Sequence, residues 1–99
     1  MGWKIDWTEP ALEDLGEAVK YIARDDPDAA VLVGEKIVAH VELLESFPEI
    51  GPIYRRRSRG DVRHILSTPF RIFYRINKRT NTVEILHVWH AARMRPLDL

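Results

Sequence analysis

Asp25-Asp26-Pro27 stops one helix and starts another, and no other segment constrains the fold of this chain as tightly. Before it, Leu12, Leu15, Val19 and Ile22 recur at three- and four-residue steps, the period of an amphipathic helix running to about Arg24. After it, Ala30, Val33, Ile37, Val41 and Leu44 form a second stripe, which ends before Phe47-Pro48. Asp26 can cap the second helix, and Pro27 takes its first position, where a missing N–H costs nothing. Thr8 and Pro10 give the first helix a similar start. With so short a connection the two helices are predicted to lie antiparallel as a hairpin. Neither stripe is wide enough for burial on all sides, so both need a third surface.

Strand-period runs supply that surface. Trp3, Ile5 and Trp7 alternate with Lys4 and Asp6, and Val62 to Ser67, Phe70 to Ile76 and Thr82 to His90 read as three further strands. Thr68-Pro69 breaks the first pair of these, and the Asn77 to Asn81 stretch is a hairpin loop. Glu49 to Asp61 carries Gly51, Pro52, Gly60 and the run Arg55-Arg56-Arg57-Ser58-Arg59, and reads as an exposed loop. The order β-α-α-β-β-β implies an α+β fold over residues 1–99 as one domain. The expected architecture is a curved, mainly antiparallel sheet with the helical hairpin on one face, leaving the other face for a partner.

Composition narrows the chemistry. The chain has 99 residues and no cysteine, which excludes a disulfide framework, a thiolate metal site and a thiolate nucleophile. No run of 18 apolar residues is present, and the N-terminus lacks a signal-peptide apolar region, so a cytoplasmic protein is expected. The formal net charge of zero hides a split: residues 1–50 hold 12 acidic and 4 basic side chains, residues 51–99 hold 3 and 11. Such asymmetry can steer a polyanion to one face, or the halves can pair within the fold.

In the Phe70 to Ile76 strand, Phe70, Ile72, Tyr74 and Ile76 point one way and Arg71, Phe73 and Arg75 the other. The first set is expected under the helices. Two guanidiniums flanking an aromatic ring could hold phosphates and stack a base, or pair with carboxylates over a minor core. The run of Arg55, Arg56, Arg57 and Arg59, with Arg63 beyond it, is a second candidate contact for a phosphate backbone or an acidic partner. His87 and His90 stand three apart, so strict alternation sends them to opposite faces. With His64 they put at most two imidazoles on one face, and no acidic residue is evident beside them, so a metal site is not expected. A lone histidine could still serve as a general acid. No Ser-His-Asp triad, P-loop or Gly-rich dinucleotide turn is visible.

Tyr21-Ile-Ala-Arg-Asp-Asp-Pro-Asp-Ala-Ala30, Leu44-Glu-Ser-Phe-Pro-Glu-Ile-Gly51, Val62-Arg63-His64, Phe70-Arg71-Ile-Phe-Tyr74 and Val83-Glu-Ile-Leu-His-Val-Trp-His90-Ala-Ala-Arg93 together resemble the RelE/ParE superfamily of bacterial toxins. The resemblance spans nearly the whole chain. It implies a toxin of a type II toxin–antitoxin module, needing no cofactor, silenced by a cognate antitoxin and able to join it in a hetero-oligomer. ParE-like members poison DNA gyrase; RelE-like members cut mRNA on the ribosome without a metal. The RelE pattern carries over to Arg71 and Arg93, with His90 as a possible acid–base group from a related ribonuclease set. The two RelE lysines would fall near Val62 and His64 and its C-terminal tyrosine near Leu99, so these are missing; in the related ribonuclease set the tyrosine beside the histidine becomes Ala91, and its glutamate has no counterpart here. The Tyr21 to Ala30 turn and the Trp89-His90-Ala-Ala-Arg93 ending look more ParE-like. The resemblance therefore implies a ParE-like toxin that engages gyrase through its basic sheet face and C-terminal tail, with a ribosome-dependent endoribonuclease as the alternative.

Overall fold

The computed structural model describes residues 2–93, and of Arg93 the backbone alone. The tail expected to share in target contact, residues 94–99, and the side chain of Arg93 lie outside the described residues. The elements are β1 (Lys4–Trp7), α1 (Glu9–Ala23), α2 (Pro27–Glu42), β2 (Ile53–Arg55), β3 (Val62–Ser67), β4 (Phe70–Asn77) and β5 (Thr82–His90). Short 3-10 turns follow α2 at Leu43–Glu45 and β5 at Ala91–Arg93. The strands form one sheet in the order β1-β5-β4-β3-β2. β1 runs parallel to β5, and the other neighbours are antiparallel. The fold is α+β, with the helical hairpin packed on one face of the sheet.

Local chemistry sets the helix positions. The Asp26 carboxylate accepts the Ala29 N–H at 3.0 Å and caps α2. Thr8 accepts the Ala11 N–H at 3.4 Å, while its hydroxyl donates to the Ile85 carbonyl at 2.6 Å. One side chain therefore starts α1 and ties it to β5. The Asp14 carboxylate makes a second tie to the same strand. These two bonds fix the rotation of α1, so Ala11, Leu15, Ala18 and Ile22 meet the core and Leu12, expected in the stripe, is 52% exposed. The α2 stripe is as the periodicity predicts: Ala30, Ile37, Val41 and Leu44 are buried and Val33 packs against the core. At Gly34 the helices come close enough that an added Cβ would sit 3.5 Å from Val19.

The main core lies between the hairpin and the sheet. Phe70, Ile72 and Tyr74 of β4 join Val83, Ile85 and Val88 of β5 beneath α1 and α2. Each large side chain buried there contributes about 1.5–3 kcal/mol relative to exposure.

The segment expected as an exposed loop is partly structured. It contains β2, a fifth strand, and its first half is fixed to the sheet. The Tyr74 hydroxyl accepts the Gly51 N–H at 2.9 Å and donates to the Pro48 carbonyl at 2.7 Å. Arg63 Nη1 donates to the Gly51 carbonyl at 2.7 Å and to the Glu49 carbonyl at 3.3 Å. Gly51 is buried, and a Cβ there would lie 2.4 Å from the His64 carbonyl oxygen. Three residues are too few to show a period, and the anchors are distant in sequence, so composition alone reads as loop.

The second face of the sheet is not bare. Val62 and Phe73 are fully buried there, with Tyr54, Leu86 and Trp89 packed against them. A register shift between β4 and β5 makes this possible. Phe73 pairs with His87 and Tyr74 with Ile85, leaving Leu86 as the extra residue of a bulge. The bulge switches the alternation, so Ile85 and Val88 both reach the main core while Leu86 and Trp89 fall on the opposite side.

Candidate functional site

The open face of the sheet is built from alternate residues of three strands. Val62, His64 and Leu66 come from β3, Arg71, Phe73 and Arg75 from β4, and Glu84 and Trp89 from β5. The β3–β4 register sets His64 opposite Phe73 and Leu66 opposite Arg71, and the β4–β5 register sets Trp89 opposite Arg71. The faces of β4 agree with the alternation in its sequence. Phe73, however, is a packed residue and not a stacking platform: it is 0% exposed, held edge-on by Tyr54 at 5.0 Å and Trp89 at 6.2 Å between ring centroids.

The two strand arginines have different partners. Arg75 Nε donates to Glu84 across the β4–β5 pair at 3.0 Å, so its charge is matched within the sheet. Arg71 Nη1 lies 3.0 Å from Nδ1 of His64. A guanidinium has donors only, so His64 must accept at Nδ1 and carry its proton on Nε2. His64 stacks on Phe73 with an interplanar angle of 13° and meets the Tyr54 ring edge-on at 5.2 Å. Burial, and then the charge of Arg71, hold the His64 pKa below its ordinary value of 6.5. Arg71 Nε is buried and has no hydrogen-bond partner among the described residues.

The remaining arginine candidates are dispersed. Arg63 is not on the open face: it pairs with Tyr74 in register and binds the 49–51 turn, with a further contact to the Glu49 carboxylate at 3.7 Å. Arg55 places its guanidinium 5.8 Å from the Tyr54 ring centre. Arg56 meets Asp61 at 3.5 Å, and the Arg57 backbone N–H donates to the same carboxylate at 2.9 Å. Arg59 is exposed and, with Arg57, Arg63 and Lys78, borders a cleft of about 390 Å³ beside the end of β4.

Arg71 and His90, two members of the candidate catalytic set with Arg93, do not converge. His90 pairs with Phe70 and touches its ring at 5.5 Å, on the helix side of the sheet. Arg71 is on the other side, opposite Trp89.

His87 and His90 line the same groove, of about 690 Å³, between α1 and the end of β5. The alternation itself holds between them, since His87 pairs with Phe73 of the open face and His90 with Phe70 of the helix side; both reach the groove because β1 ends opposite Ile85 and leaves this edge of β5 uncovered. An acid also stands beside His87 after all. The Asp14 carboxylate lies 2.8 Å from His87 Nδ1 and accepts the Val88 N–H at 3.1 Å. Sequence reasoning missed this pair and the His64–Arg71 pair, since both need strand and helix registers that local pattern does not encode. The one available signal was that Val62, His64 and Leu66 share a strand face. Among the described residues no group of three or more His, Asp or Glu side chains is placed to hold a metal ion, and no helix is long and apolar enough to cross a membrane.

A two-helix hairpin on one face of a mixed five-stranded sheet is the RelE/ParE type of toxin fold. The same fold occurs in a chromosomal ParDE toxin–antitoxin system from P. aeruginosa, with a TM-score of 0.73 and 23% identity over 89% of this chain and 95% of that one. It occurs also in the archaeal RelE–RelB complex from Pyrococcus horikoshii OT3, with a TM-score of 0.68 and 15% identity over 95% of this chain and 100% of that one. Residues 5–95 match the family described as the ParE toxin of type II toxin–antitoxin system, parDE, and the chain belongs to that family. Y4kP of Sinorhizobium fredii (strain NBRC 101917 / NGR234), a candidate toxin by its name, is 39% identical over 93 residues, covering 94% of this chain and 93% of its own length.

Proposed function

We propose that this toxin arrests growth by binding DNA gyrase through the open sheet face around Arg71, without catalysing a reaction, and that a cognate antitoxin neutralises it by covering that face. The observation carrying this reading is the separation of Arg71 from His90. Cleaving an RNA phosphodiester needs a cation and an acid–base group at one phosphate, within hydrogen-bond reach of the reacting atoms. A surface that grips a protein has no such requirement. It needs apolar area with a few well-placed charges, and here Leu66, 55% exposed, and half-buried Trp89 flank Arg71 in register. An antitoxin segment with acidic and apolar side chains would satisfy both. The toxin and antitoxin would then form a hetero-oligomer.

The RelE-like reading keeps one observation in its favour: His64 sets a neutral imidazole beside Arg71 on the same face. Purified toxin separates the two. Inhibition of gyrase supercoiling with ribosome-bound transcripts left intact is the expected result. Cleavage of those transcripts at defined positions, with supercoiling unaffected, would reject the gyrase reading.

A further inference from the structure

Resting on Arg71 as the target-facing cation, we propose that His64 is its positioning residue: neutral His64 holds the guanidinium in place on the open face, and protonation of His64 releases it. The contact is chemically one-way. Arg71 can only donate, so the 3.0 Å bond exists only while Nδ1 of His64 is free of a proton. A proton on Nδ1 would turn an acceptor into a donor and set two cations against each other.

His64 is also held firmly enough to act as a fixed acceptor. It lies against the Phe73 ring, and Tyr54 closes over its edge. Arg71, by contrast, has no hydrogen-bond partner for its buried Nε, so the bond to His64 is what orients its planar fork. The Nη2 donors stay available for a carboxylate on a partner.

The charged groups around His64 favour the neutral form. From β4, Arg71 is in contact. From β2, the Arg55 guanidinium lies 5.8 Å from the centre of the Tyr54 ring. From β5, Trp89 packs on Phe73 and carries His87 behind it, and His87 is bound to Asp14. On β3 itself, Arg63 turns away to the 49–51 turn. The nearby carboxylates are engaged elsewhere: Glu84 with Arg75, Glu49 with Arg63, Asp61 with Arg56 and Asp14 with His87. Burial and the Arg71 charge accordingly depress the His64 pKa.

Two measurements test this. Nitrogen-resolved NMR of the full chain should find His64 as the Nε2–H tautomer at pH 7, and Arg71→Gln should move its titration to higher pH. An Nδ1–H tautomer, or a titration unchanged in Arg71→Gln, would overturn the proposal whatever the target is. Gyrase supercoiling inhibition, followed from pH 5.5 to 8, reads the consequence. Wild-type inhibition should fall as His64 gains its proton. His64→Asn, whose amide oxygen can stand in for Nδ1 but does not titrate, should inhibit with a flattened pH profile. His64→Phe, which keeps the ring and loses the acceptor, should weaken inhibition about tenfold, the scale of one lost hydrogen bond to a charged group. If His64→Phe inhibits like the wild type while Arg71→Ala does not, the positioning role is wrong and the role of Arg71 stands. Full inhibition by Arg71→Ala would remove both.

Discussion

Asp14 and His87 are separated by 73 positions in sequence and by 2.8 Å in the fold. The same carboxylate accepts the Val88 N–H, so a single side chain on α1 satisfies two donors on the stretch of β5 that β1 leaves unpaired. β1 pairs only as far as Ile85, and beyond that point Asp14 continues the connection between the strand and its neighbouring layer.

Asp14→Ala should therefore cost about 1–3 kcal/mol, since it leaves a half-buried imidazole and a buried-strand N–H without their acceptor. Urea denaturation of wild type, Asp14→Ala, His87→Ala and the double variant reads the pair. A coupling energy indistinguishable from zero would show that the two groups do not interact in solution.

Tyr74→Phe removes one oxygen from the centre of the fold. The Gly51 N–H and the Pro48 carbonyl lose their partner together, and the expected loss is again about 1–3 kcal/mol. Gly51→Ala should be worse, because its new methyl would meet backbone at 2.4 Å, and backbone cannot rotate out of the way. Thermal denaturation that ranked Gly51→Ala as the milder of the two would contradict this anchoring.

The His64 pKa is depressed in the folded chain, so the unfolded chain takes up the proton first. Stability contributed by this group is complete above the ordinary value of 6.5 and is lost as pH falls from there through the lower folded-state value. His64→Asn has no such dependence. The stability difference between the two proteins should drift against wild type as the pH drops from 7.5 to 5.5. Parallel urea midpoints over that range would rule out a depressed pKa.

Arg71→Met keeps the unbranched stem of the side chain and deletes a buried donor that has no partner. Its stability should change by less than about 1 kcal/mol, or rise, while growth arrest is lost. A circular-dichroism melt alongside an induction assay separates folding from toxicity. Collapse of the fold would make Arg71 a structural residue.

Arg75→Ala gives the control on the same strand. Its pairing with Glu84 is partly exposed, at 30% and 22% for the two side chains, and such pairs contribute about 0–1 kcal/mol. Arrest should persist, because this guanidinium already has its carboxylate. Loss of arrest in a folded Arg75→Ala protein would extend the target surface along β4.

Local sequence by itself determined the parts of this protein that depend on neighbours a few residues apart. The helix stops at Asp26-Pro27, the bounds of β3 and β5, and the inward set Phe70, Ile72 and Tyr74 all follow from capping chemistry and from periods of 3.6 and 2. The superfamily was legible too, because its signature is spread in order along the whole chain. What only the tertiary structure decided depends on register. One extra residue at Leu86 reverses the faces of β5 and seats Trp89 beside buried Phe73. The end of β1 opposite Ile85 leaves the edge of β5 open, and there His87 and His90 border a common groove from opposite faces of the strand. Two hydrogen bonds to β5 set the rotation of α1 and expose Leu12. The sorting of the arginines has the same origin. Arg63, Arg71 and Arg75 look alike in sequence, but a carbonyl, an imidazole and a carboxylate respectively receive them, each delivered by a segment that folding brings into reach.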